Sequence, residues 1–416
     1  MSILGRFLQN VIEKGSIRVT HADGSTESFG ASTEGYPDVG IRLADKAVIR
    51  QILLDPRLGA AETFMDGRLI VEQGDIMELV QLLRANRPFE RGGKLKEPGP
   101  LKKIRDHAAG SLDRINLLGR SKSNVAHHYD IGNDLYELFL DDDLQYSCAY
   151  WDFAKHGPDM TLEQAQADKK AHIAAKLDLR PGQRVLDIGC GWGGMALYLH
   201  RKTGVEVLGI TLSEEQLKKA RERAEKEGVA DKVKFELIDY RDLAQRDAGA
   251  FDRIVSVGMF EHVGTPQFRT FFRCCANLMT DEGVMLLHTI GRMGGPGTTD
   301  AFTRKYIFPG GYIPALSETL AASEQFRLIA TDIETLRLHY AFTLREWYKR
   351  TVKNREKIIA LYDERFYRMW TFYLAGATAA FENGGMCNYQ IQFSRNRRTL
   401  PLTRGYIGET EKNLTA

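Results

Sequence analysis

The run Val185-Leu-Asp-Ile-Gly-Cys-Gly-Trp-Gly-Gly194 constrains the chain more than any other stretch. An apolar run of this length reads as a buried parallel strand. The glycines that close it let the backbone turn tightly and approach a ligand. The following Met-Ala-Leu-Tyr-Leu-His reads as a helix start, so the local pattern is strand, glycine loop, helix. Nothing protrudes from such a loop and the helix N-terminus is electropositive, which suits a nucleotide-like ligand. Asp187, at the strand end, is placed to accept a hydrogen bond from a ligand ammonium. The alternative is a tight turn with no ligand.

The segments downstream repeat the theme. A helix over 161–179 precedes the strand, and strands follow at 205–210, 233–238, 251–257 and 283–289, separated by helical stretches. This alternation predicts a doubly wound, mostly parallel α/β sheet. Ligands in such sheets sit at the C-terminal strand ends. That rule selects the glycine loop, Thr211 with Gln216, Asp239 with Tyr240, Glu261 with His262, and His288. A dinucleotide dehydrogenase would carry an acidic residue at the end of the second strand for the ribose; here that position is Thr211.

The flanking regions are less explicit. Residues 1–85 read as a small α+β unit, with strands at 15–20, 27–29 and 39–43 and a helix that Asp75 caps. Between Arg84 and Lys122, 11 Lys/Arg face 4 Asp/Glu. The bland reading of this stretch is a basic linker, over 86–122. The sharper one is attachment to anionic headgroups through its charges and the stripe Leu101, Ile104, Leu112, Ile115, Leu117 and Leu118. Residues 123–151 are dense in polar and aromatic residues and read as a pocket lid. The pair His127-His128 lacks the spacing of a metal site. The segments 291–297 and 307–314 read as a mobile lid, and 343–382 as a long helical region that either walls an acyl-chain tunnel or packs on the sheet. Tyr389-Gln-Ile-Gln-Phe-Ser alternates as a final strand.

Composition narrows the class. The net charge of +2 in 416 residues argues against a chain built around nucleic acid. Five cysteines without CxxC spacing read as reduced thiols rather than a metal site or disulfide framework. No apolar run approaches the roughly 20 residues needed to span a bilayer. The expectation is a cytoplasmic protein that visits a membrane surface.

Taken together, His128-Tyr-Asp-Ile-Gly-Asn-Asp-Leu-Tyr, Gln145-Tyr-Ser-Cys-Ala-Tyr-Trp, the 185–194 loop, Val257-Gly-Met-Phe-Glu-His-Val-Gly, Leu287-His-Thr-Ile and Ile307-Phe-Pro-Gly-Gly resemble the cyclopropane-fatty-acyl-phospholipid synthases and the related mycolic-acid cyclopropane synthases. The resemblance implies a seven-stranded class I methyltransferase sheet over 123–416. It also implies methyl transfer from S-adenosylmethionine to the cis double bond of an unsaturated phospholipid acyl chain. The cofactor would be held by Tyr146, Ser147, Asp187, Gly189, Cys190, Gly191, Gly193, Thr211, Gln216, Asp239 and Tyr240. Bicarbonate would act as general base, on ligands that map to Cys148, Glu261, His288, Ile290 and Tyr340. No metal is implied. The membrane surface would be the partner, and a homodimer fits the family.

These residue types suit the chemistry. An alkene is a weak nucleophile, so proximity supplies much of the rate. The carbocation that forms must be kept from water. Glu261 would bind an anion only by sharing a proton with it. Many relatives carry a cysteine in the C-terminal helix, whereas Phe372–Phe381 has none and Cys387 lies off register. Two other readings stand beside this one: an acyl methyltransferase with a methylene or methyl-branched product, and a lipid-binding protein with a vestigial cofactor loop.

Overall fold

The computed structural model describes residues 3–92 and 132–415. Residues 93–122 of the basic stretch, with all six residues of its apolar stripe, and the run His128-Tyr-Asp lie outside the described residues. The chain divides into two compact units.

The first unit holds the N-terminal residues together with Asp300–Pro309 and Ala341–Gly385. Its sheet has strands β1 (Gly15–Thr20), β2 (Thr26–Ala31), β3 (Asp38–Leu43) and β4 (Leu69–Gln73), in the order β2-β1-β3-β4. The alternation in β1 buries Ile17 and Val19. Asp75 starts the helix Ile76–Ala85 through a capping box with Glu78, as the sequence predicts. The long helical region is broken into His339–Lys353, Arg355–Leu361 and Glu364–Glu382. The last of these packs on helices Ile76–Ala85 and Pro56–Met65. Its buried Trp370, Leu374 and Ala375 therefore join the first unit, away from the 123–416 grouping expected from sequence. Apolar burial decides the partition here, since one face of this helix is covered by N-terminal helices.

The second unit is built on seven strands: β5 (Arg184–Ile188), β6 (Glu206–Thr211), β7 (Val233–Leu237), β8 (Phe251–Val257), β9 (Met279–Arg292), β10 (Ile329–Leu336) and β11 (Met386–Ser394). Their order is β10-β11-β9-β8-β5-β6-β7. β5 to β9 are mutually parallel, while β11 runs antiparallel to both β9 and β10. This is the doubly wound, mostly parallel sheet expected, with its order reversing between β5 and β8.

Helix Leu162–Lys176 opens on the Thr161–Gln164 capping box and is buried nearly all round, charges included. The alternation in β11 hides a second buried face: Gln390 and Gln392 are as buried as Ile391 and Phe393. Gln392 reaches the Lys176 carbonyl, so this helix covers the amide face of the strand. The two segments read as a lid meet where the Arg292 amide donates to Pro314 O at 2.9 Å, and the Tyr312 amide donates to Glu261 O at 2.8 Å.

Candidate active site

The candidate residues converge on the C-terminal edge of the parallel strands. β5 ends in the glycine loop, β6 in Thr211, β7 runs out to Asp239, β8 leads to Glu261, and β9 carries His288 and Ile290. The loop is pinned to β6, with the amides of Gly189 and Cys190 both donating to Ile210 O at 2.9 and 3.0 Å. Gly189 has φ +84°, and a Cβ there would lie 2.8 Å from the Met259 side chain. Gly191, at φ +54°, has nothing within 4 Å of the place a Cβ would take. One glycine is needed by the protein itself; the next leaves room for something else.

Asp187 is buried, and its Oδ2 has no hydrogen-bond partner. Burial pushes its carboxyl up to about 7, opposed by the charge of Lys169. An orphaned carboxylate oxygen beneath an open glycine cradle fits the ammonium of an amino-acid ligand. At the end of β6, Thr211 Oγ1 donates to Gln216 Oε1 at 3.1 Å and accepts from the Ser213 amide at 3.1 Å. Ser213 caps the helix Glu214–Lys226. Asp239 caps Tyr240–Arg246 and is held in two-pronged fashion by Arg241, at 2.8 and 2.7 Å. The buried Tyr240 packs edge-on to Phe271. Tyr146 lies among Tyr136 and Phe139, and Cys190 is buried in the loop.

The second group centres on Glu261. Its Oε1 accepts from the Ile290 amide at 2.6 Å, while its buried Oε2 has no hydrogen-bond partner. Burial raises this carboxyl to about 7. The Ile290 N–H thus fixes one oxygen of Glu261. His288 is held from β11. Its Nε2 lies 3.0 Å from the Asn388 amide and its Nδ1 3.2 Å from that of Gln390, both on β11. Burial holds its ring well below the ordinary histidine range, so it is neutral. A neutral ring has one acceptor nitrogen, so it accepts from one of the two amide NH2 groups that face it.

Cys148 is buried, its thiol pushed upward by desolvation. Its Sγ contacts Ala149 O at 3.4 Å, consistent with an inert group. Tyr340 is buried at the start of His339–Lys353. Its neighbour His339 accepts from the Trp151 amide at 2.8 Å, joining that helix start to the 146–151 segment. Burial lowers His262 to about 4, so it too is neutral. All five cysteines are free and buried, and no metal-holding cluster occurs among the described residues.

Lys169 and Gln166, which hold Gln145 and Ser147, and Asn388 and Gln390 around His288 were not singled out from the sequence. Only one signal for them existed in the sequence: amides, rather than charges, at alternate positions of β11.

Comparison with known proteins gives the family. The family model described as mycolic acid cyclopropane synthetase matches residues 118–391, and a second, described only as a domain of unknown function, matches 3–89. The chain is 38% identical over 366 residues to a cyclopropane-fatty-acyl-phospholipid synthase of Escherichia coli, covering 88% of this chain and 90% of that one. It is 36% identical over 398 residues to a probable fatty acid methyltransferase of Pseudomonas putida, covering 93% and 95%. Among solved structures, the cyclopropane synthase MmaA2 from Mycobacterium tuberculosis matches with a TM-score of 0.61 and 32% identity, over 66% of this chain and 98% of that one. The mycolic acid cyclopropane synthase CmaA1, complexed with SAH and CTAB, matches with a TM-score of 0.60 at the same identity and coverage. The glycine cradle, the orphaned Asp187 and the buried Glu261 thus belong to a chain of the mycolic acid cyclopropane synthetase family, an S-adenosylmethionine-dependent methyltransferase.

Proposed function

We propose that this chain transfers a methyl group from S-adenosylmethionine to the cis double bond of an unsaturated phospholipid acyl chain and closes a cyclopropane ring, with bicarbonate as the base. The observation that carries the reading is Glu261: a buried carboxyl with one oxygen fixed by Ile290 and the other unpartnered. Titrating near 7, it is available as a neutral proton donor to a small anion, and such sharing avoids the cost of two adjacent bare charges.

The sulfonium supplies an electrophilic methyl group, and bicarbonate supplies a base for a proton of that methyl. The residues of this chain do the rest. Asp187 accepts the cofactor ammonium, Gly191 leaves space for it, and Thr211 with Gln216 offers hydroxyl and amide groups to the ribose. Glu261 holds a shared proton at Oε2. Burial keeps His288 neutral while Asn388 and Gln390 hold its ring in place, so that no positive ring sits beside a forming carbocation. The neutral His262 and protonated Cys148 add no competing nucleophilic charge.

The Escherichia coli relative's name supports the phospholipid acyl substrate. We further propose contact with anionic headgroups by the basic 84–122 stretch, a cytoplasmic location at the membrane's inner face, and a homodimer. No helix among the described residues is long and apolar enough to cross a membrane. A second reading, a methyl-branched or methylene product, is supported by relatives named as fatty acid methyltransferases.

The test incubates the protein with S-adenosylmethionine, bicarbonate and vesicles of cis-unsaturated phospholipid. High-field cyclopropyl protons on the recovered fatty esters are expected. Exocyclic methylene or methyl-branch signals would overturn ring closure in favour of the second reading.

A further inference from the structure

We propose that Lys169, with Gln166 one turn before it, is a positioning residue that grips the 145–147 strap against the glycine loop and so sets the cofactor site. The proposal rests on the methyltransferase reading. Both side chains come from the buried helix Leu162–Lys176, at the i, i+3 spacing that places them on one face.

Gln166 Nε2 lies within hydrogen-bond distance of two strap carbonyls, Gln145 O at 3.1 Å and Ser147 O at 3.0 Å. Lys169 Nζ donates to two strap side chains, Gln145 Oε1 at 2.6 Å and Ser147 Oγ at 2.9 Å. Backbone and side chains of the strap are thus held from the same helix face. The far side of the strap meets the loop. A Cβ added at Gly194 would lie 2.5 Å from Gln145 Nε2 and 2.7 Å from Asp143 Oδ2, so the absence of a side chain there is what admits the strap. A continuous path runs from Lys169 through the Gln145 amide to the first residue of the helix Gly194–Thr203.

Lys169 is fully buried, and among the described residues no carboxylate lies in hydrogen-bond range of it. Such a group is costly, and burial lowers it to about 7. Leucine or methionine would fill the volume without that cost, so a positional role accounts for a lysine here. Its charge also acts on Asp187, Cys148 and His288, that is, on both halves of the site. Ser147 is one of the residues expected to touch the cofactor. With its hydroxyl occupied by Lys169, its remaining acceptor and donor directions are fixed before any ligand arrives, which lowers the ordering cost of binding.

The experiment measures the dissociation constant for S-adenosylhomocysteine by calorimetry on the full chain, for K169M, Q166L and the double variant. KM for S-adenosylmethionine and kcat are measured in parallel, and near-ultraviolet dichroism checks the fold. Lost hydrogen bonds to a buried strap are expected to weaken binding about 30-fold for K169M and about tenfold for Q166L. The double variant should be weaker by less than the product of the two, because both hold one strap. KM should rise more than kcat falls. If K169M fails to fold, Q166L removes no charge and decides alone. Folded variants that bind like the wild type would overturn the proposal, leaving Lys169 a purely structural residue. A wild-type chain that binds no S-adenosylhomocysteine would overturn the methyltransferase reading, and this inference with it.

Discussion

Glu261 and Asp187 are ionisable side chains held where ionisation is disfavoured, and that gives the account its sharpest pH dependence. Both are raised by burial to about 7 from ordinary values of 4.5 and 3.8. With the folded values raised, the stability they contribute is present at pH below those ordinary values. It is lost as pH rises toward 7. The melting temperature of the ligand-free protein should therefore have a component that falls between about pH 4 and 7 and is absent in D187N/E261Q. An ammonium ligand favours ionised Asp187, so binding of S-adenosylhomocysteine at about pH 6.5 should release protons. Calorimetry in buffers of different ionisation enthalpy reads this release directly, and D187N should abolish it. For Glu261, the neutral carboxyl shares a proton with an anion and the charged one repels it. The bicarbonate concentration that half-saturates the enzyme should rise as pH rises through 7, and E261Q should flatten the shift. E261A should lower kcat by about 10²–10³-fold, the usual worth of a proton-handling group.

Much of this was legible from the sequence. Glu261 and Asp187 stand at strand ends, where the topology of a doubly wound sheet puts ligands. Their partners were not legible. Ile290 meets Glu261 only because β9 and the turn after β8 lie side by side, and Asn388 meets His288 across 100 residues of chain. Lys169 sits in a helix whose composition looks half exposed, yet that helix is buried nearly all round.

At the scale of elements, the strand–loop–helix at 184–203 behaves as the sequence predicts, because its glycines answer to local geometry. Two substitutions in the glycine loop should separate folding from binding. G189A adds a Cβ that meets Met259 at 2.8 Å in a left-handed conformation, so both strain and overlap count. It should cost about 2–4 kcal/mol of stability, read by denaturant unfolding. G191A incurs only the left-handed cost of about 1 kcal/mol, having nothing within 4 Å, but intrudes on the space left for the cofactor. It should fold and bind S-adenosylhomocysteine poorly. The alternation of β11 shows where element-level reading stops. Period two was correct, but the polar face it implied is covered by helix Leu162–Lys176 and lined with amides that serve His288 and Lys176. Periodicity reports which residues share a face and is silent on what covers that face.

For the whole molecule, tertiary partners decided what local pattern left open. The helical region at 343–382 reads from the sequence as the wall of an acyl-chain tunnel or as packed on the sheet, and its last helix instead buries Trp370 and Leu374 within the first unit, on helices Ile76–Ala85 and Pro56–Met65. L374A should cost about 2–5 kcal/mol, read as unfolding of the first unit. In the second unit the C-terminal helix Gly405–Thr415 is clamped by charge. His172 lies 2.7 Å from Glu334 and 3.2 Å from Glu411, under the stacked ring of Tyr150, while Lys176 also faces Glu334 and Asp332. The carboxylates raise His172 above its ordinary 6.5 despite burial, and Glu334 is held well below 4.5. His172 thus contributes fully below pH 6.5, and that contribution is lost as pH rises through its folded value. Glu334 contributes above 4.5, and its share is lost in strong acid. Amide-exchange protection of helix 405–415, corrected for intrinsic rates, should fall on the alkaline side, and H172N should remove that dependence.

The central claim is that the transferred methyl is deprotonated at this site by an anion that Glu261 holds. The most direct measurement supplies S-adenosylmethionine with a fully deuterated methyl group to the protein and cis-unsaturated phospholipid vesicles, with and without bicarbonate. The expected product is a cyclopropane that has lost one deuteron of the label, formed much more slowly once bicarbonate is removed. A product that keeps the whole label, or a ring formed at an undiminished rate without bicarbonate, would contradict it.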